Sequence, residues 1–68
     1  MSSFFEAQQV RAQLKMKLSL YSWYRSLTII SDSEGYLVLV GVKRIDNSIR
    51  AVIPQVIDGV SIKTEIDN

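Results

Sequence analysis

Residues 48–60 read "SIRAVIPQVIDGV", and the secondary structure of this stretch decides the fold. As a helix it sets Ile49, Val52, Ile53 and Val56 on one face. Pro54 then falls mid-helix, where the lost N–H and the ring clash cost about 3 kcal/mol. As a strand, "IRAVI" leads past Pro54, at an edge or a bulge, to Ile57-Asp58-Gly59-Val60. Asp-Gly between apolar residues is a strong hairpin signal. The strand reading avoids the proline penalty and is preferred.

The segments on either side are easier to read. Residues 1–34 hold neither glycine nor proline, whereas all three glycines and the proline lie in the second half. One long element followed by several short ones is the pattern expected from that asymmetry. Ser3-Phe4-Phe5-Glu6 is an S-x-x-E capping box at the start of the long element. Good helix formers follow, and Val10 is the only β-branched residue between Ser3 and Leu27. Within it, "LKMKLSLYSWYR" (14–25) alternates like a strand, yet Gln8, Arg11, Lys15, Ser19, Ser22 and Ser26 step along one polar helix edge. Two apolar stripes flank that edge, Ala7–Val10–Leu14–Leu18–Tyr21 and Met16–Leu20–Trp23–Leu27. A helix over about residues 4–24 is expected, its last turns being the part that would give way to an extended strand.

Beyond Arg25 the chain turns β-branched. "SLTII" gives a strand at about 27–31, the turn cluster "SDSEG" follows, and "YLVLVGVKRI" gives a strand at about 36–45. Both faces of that strand are apolar, which suits the centre of a sheet. Gly41 inside it signals a bulge or a close contact. With strands at about 49–53 and 60–66, the expected fold is α+β within a single domain spanning 1–68. One N-terminal amphipathic helix packs on a four-stranded antiparallel meander, and α-β-β-α-β is the alternative.

On that alternative branch, "SEGYLVLVGV" (33–42) and Gly59-Val60 before the last strand resemble a BON domain, over roughly residues 26–66. The resemblance implies binding to phospholipid or partner-protein surfaces. Pro54 in the helix slot and the short candidate helix depart from it, and it carries no functional residue over. With the strand reading preferred, the resemblance is set aside.

Composition narrows the chemistry. The 68 residues include no histidine and no cysteine, which excludes Ser-His-Asp and Cys-His catalysis, disulfides and thiolate metal sites. No S-x-x-K occurs, and the three glycines are too scattered for a phosphate-binding loop. The acids Asp32, Glu34, Asp46, Asp58, Glu65 and Asp67 fall mostly in turns and at the C-terminus, where they read as solvated. No catalytic, cofactor or metal site and no small-molecule substrate is expected. The N-terminus shows no signal peptide, no run reaches the roughly 20 apolar residues of a membrane span, and a cytoplasmic protein is the default.

Two features point to binding. A single helix covers one sheet face, so the second apolar face of "YLVLVGV" needs another cover, most simply a second copy or a protein partner. Phe4, Phe5, Trp23, Tyr36, Val38 and Val40 are the candidate interface residues, beside the charged turn "KRIDN". Residues 4–25 carry four basic side chains against Glu6 alone, a net +3, whereas residues 26–68 carry four against six acids, a net −2. Arg11, Lys15, Lys17 and Arg25 are therefore candidates for binding an anionic partner, RNA or a membrane surface, as the second reading.

Overall fold

The computed structural model describes residues 3–33 and 35–67. Glu34 lies outside them. Helix α1 spans Phe4–Leu18, followed by β1 (Tyr24–Asp32), β2 (Gly35–Val42), α2 (Asn47–Val52), β3 (Val56–Ile57) and β4 (Val60–Ile66). The strands form one sheet in the order β1-β2-β4-β3. The fold is α+β, with the N-terminal helix packed on a four-stranded sheet. The sheet is mixed, however: β1–β2 and β3–β4 are antiparallel, and β2–β4 are parallel.

The parallel pair follows from how residues 46–54 fold. The strand expected at 49–53 is instead the short helix α2. Asp46 caps it, its carboxylate accepting from the Ile49 amide at 2.9 Å. Pro54 exacts no penalty because the helix stops before it. Ile53 is the C-cap, with φ −94° and ψ 112°, the extended geometry that a following proline favours. The helix need only be long enough to bury Ile49, which with Ile53 joins the core. The Asp58-Gly59 hairpin forms as the sequence predicts. Both residues have positive φ, 50° and 80°, and Ile57 faces Val60 across the two-residue turn.

α1 begins at the capping box. Ser3 Oγ accepts from the Glu6 amide at 3.2 Å, and Glu6 Oε1 accepts from the Ser3 amide at 3.0 Å. It ends at Leu18, earlier than the expected Tyr24. The Ser19 amide closes the last turn on the Lys15 carbonyl at 3.0 Å. From Trp23 onward, sheet pairing claims the backbone: the Lys43 amide donates to the Trp23 carbonyl at 2.8 Å, and Tyr24 lies opposite Val42. Tertiary pairing thus overrides the helix propensity of the preceding residues.

Only one of the two expected helix stripes is buried. Ala7, Val10, Leu14 and Leu18 sit against Val38, Val40 and Val42 of β2, joined by Leu27, Val60 and Ile62 from the flanking strands. Met16 and Leu20 of the second stripe are 80% and 86% exposed, while its other members, Trp23 and Leu27, reach the core from outside the helix. The register of β1 on β2 slips between Tyr24 and Ser26, leaving Arg25 as a bulge that switches the facing of the strand. Gly41 lies opposite Ser26 just past the bulge. A Cβ there would collide with Ser26 Oγ, which donates across the strand to Asp67 Oδ2 at 3.2 Å.

Leu14 and Met16 are two residues apart, yet they occupy opposite environments. Leu14→Ala is expected to cost about 2–5 kcal/mol of unfolding free energy. Met16→Ala should stay within about 0.5 kcal/mol. Urea titrations followed by circular dichroism check the pair, and equal losses would contradict the single-stripe packing.

Candidate interaction surface

The six expected interface residues divide between core and surface. Val38 and Val40 are fully buried beneath α1, and Trp23 is only 7% exposed, stacked on Tyr21 with ring centroids 4.8 Å apart. These three are core residues, a correction that the register explains. The odd-numbered face of β2, not the even one, points away from α1: Leu37 pairs with Ile30 and Leu39 with Thr28, all on that far face. Phe4 and Tyr36 pack edge to face, centroids 5.4 Å apart, fastening the start of α1 to β2. Phe5 is the most exposed of the six, at 66%.

The far face is less bare than a single covering helix implies. Leu37 is 4% exposed and Leu39 is half-buried. Across the parallel pair, Leu39 lies opposite Lys63 and Gly41 opposite Glu65, so β4 edges this face with charge. Among its large apolar side chains on β1 and β2, Ile30 is the most exposed.

The outer side of α1 is a different case. Phe5, Ala12 and Met16 each lie two positions from members of the buried stripe, which on a helix places them opposite it. All three are exposed, and Leu20 continues the row just past the C-cap. Met16 and Leu20 are the most exposed large hydrophobic side chains among the described residues. On the sequence both belong to the second apolar stripe, Met16–Leu20–Trp23–Leu27. The spacing that reveals them was available, since a residue midway between Leu14 and Leu18 cannot face the same core.

The four candidate anion-binding cations are not gathered into one patch. Arg11 turns toward the sheet and donates Nε to the Leu27 carbonyl of β1 at 3.3 Å. Lys15 follows it one turn on, along the same flank. Lys17 falls on the other flank of the Phe5–Met16 row, and Arg25 sits at the bulge of β1. "KRIDN" is a helix start rather than a hairpin turn: Arg44 Nε meets Asp46 Oδ2 at 3.2 Å, and Ser48 Oγ donates to Asp46 Oδ1 at 2.7 Å.

A cleft of 240 Å³ between α2 and β4 has Arg50, Gln55 and Thr64 around a floor of Ile45, Ile53 and Ile62. It is smaller than the roughly 300–1,000 Å³ of ordinary small-molecule sites. Among the described residues no charged side chain is buried, and no three His, Cys, Asp or Glu residues stand close enough to share a metal ion. No helix among them is long and apolar enough to cross a membrane.

Comparison of the chain with protein families, curated proteins and solved structures found no match in any of the three. The resemblance of residues 26–66 to a BON domain, set aside on the sequence, has no family match behind it.

The Ser48 hydroxyl, the Ile49 amide and, more weakly, Arg44 lower the Asp46 carboxyl from 3.8 to about 2. A carboxyl lowered on folding contributes stability above its unfolded pKa and loses it as pH falls through the folded one. That contribution therefore disappears between pH 3.8 and about 2. Glu6 is lowered in the same direction by its bonds to Ser3. Asp46→Asn keeps a capping oxygen but removes the titration. Its melting temperature is expected to fall less steeply than the wild type's over this acid range, and identical slopes would contradict the assignment.

Proposed function

We propose that this chain is a non-enzymatic interaction module that self-associates through an apolar surface, in its simplest form as a homodimer. The supporting observation is the row Phe5, Ala12, Met16 and Leu20 on the outer side of α1. Its three large members are 66%, 80% and 86% exposed. A domain of this size has little apolar surface to spare, and leaving Phe5, Met16 and Leu20 in water on the outer side of its longest helix forgoes solubility. Covering the outer row with protein removes that cost. The sheet face offers weaker support, because Lys63 and Glu65 edge it and Leu37 is already buried.

The anion-binding reading has less behind it. Arg11 is engaged with β1, and Lys15 and Lys17 sit on opposite flanks of the outer row. The absence of cysteine and the capped, water-facing charges suit a cytoplasmic setting, which we adopt with the same proposal.

Sedimentation of the full chain from about 10 µM to about 1 mM tests the reading, a range set by the weak affinity of small interfaces. A reversible monomer–dimer equilibrium, little changed by salt, is the expected result. A monomer throughout the range overturns it. Binding to polyuridylate or to anionic vesicles that weakens steeply with salt would replace it with the anion-binding reading.

A further inference from the structure

The outer face of α1 carries a charge pattern that fits a reversed copy of itself. Glu6 lies in the first turn and Lys17 in the last, both on one flank of the Phe5–Ala12–Met16 row. Gln8 and Lys15 lie on the other flank. The midpoint of Glu6 and Lys17 falls between Arg11 and Ala12, and so does the midpoint of Gln8 and Lys15. A two-fold axis through that point, perpendicular to the two antiparallel helices, satisfies both pairs at once. Glu6 of each copy meets Lys17 of the other, and Gln8 of each meets Lys15 of the other. On the same axis Phe5 of one copy lands between Met16 and Leu20 of the second, while the small Ala12 side chains meet at the crossing and let the helices approach. A parallel arrangement would instead set Lys17 of each copy beside Lys15 of the other and align the two helix dipoles unfavourably.

We propose that the occupant of this face is a second copy of the same chain, docked α1 against α1 in antiparallel two-fold symmetry about residues 11 and 12. The proposal rests on the self-association reading above and specifies its surface. An isologous contact requires that each feature find its complement on the same patch, and the Glu6/Lys17 and Phe5/Met16 spacings meet that requirement. The obvious rival is edge-to-edge pairing of β1, a nine-residue edge strand. Arg11 stands against that rival, since its guanidinium occupies the Leu27 carbonyl of that strand.

Charge reversal tests the geometry. In K17E a carboxylate would face Glu6 of the other copy at both ends of the contact. In E6K an ammonium group would face Lys17 of the other copy, again at both ends. Each variant alone is expected to dimerise about tenfold more weakly than wild type, because two attractive pairs become repulsive. In a heterodimer of the two variants one pair is the reversed but attractive one and the other is native, so no repulsion remains. Sedimentation of the mixture should therefore show a heterodimer several-fold tighter than either homodimer. That rescue separates the contact from the capping role of Glu6, which E6K loses in both settings. The chain has no cysteine, so A12C should cross-link to itself under mild oxidation and S33C, in the β1–β2 turn, should not. A wild-type dimer with no preference for the mixture and no A12C cross-link overturns this geometry while leaving self-association intact. A wild-type monomer overturns both.

Discussion

The contact between the Ala7–Val10–Leu14–Leu18 stripe and Val38, Val40 and Val42 holds the molecule together. It joins the one long helix to the strand at the centre of the sheet, and the rest of the core is arranged around it. Leu27 enters from β1, Val60 and Ile62 from β4, and Ile49 and Ile53 from the crossover. Because β2 presents valine after valine to the helix, α1 can approach closely, and Ala7 at its N-terminal end is completely buried. A chain without cysteine has no disulfide to help such packing offset its conformational entropy.

The same contact determines what remains outside. Once one stripe of α1 is committed to β2, every residue two positions away is committed to water or to a partner. Phe5, Ala12 and Met16 occupy such positions, with glutamines and lysines between them. The surface is therefore a by-product of where the core sits, and its flanking charges are what give it direction.

Much of this was legible in the residues themselves. The S-x-x-E box at Ser3–Glu6, the Asp58-Gly59 turn and the alternation of residues 60–66 are local signals that need no tertiary information, and each corresponds to what forms. Gly41 as a close contact was equally readable, because a glycine amid strand formers has few other reasons to be there. The end of α1 was not. "LSLY" has ample helix propensity, and only pairing with the far end of β2 draws Trp23 and Tyr24 out of it. The α2 segment misled for a different reason: Pro54 argues against a long helix but not against one that stops at Val52. The candidate surface failed on facing, since both sides of "YLVLVGV" are apolar and nothing local says which side meets the helix.

The parallel β2–β4 seam has a kinetic consequence. β1–β2 and β3–β4 are hairpins whose turns bring neighbouring residues together, and α1 lies close in sequence to the first of them. Val38 opposite Ile62 is instead a pairing across the whole crossover. Closing that loop costs entropy before any seam contact compensates for it. The barrier to folding is thus expected at the docking of two locally formed halves. Ile49 and Ile53, which bury themselves where the halves meet, are placed to act as the latch.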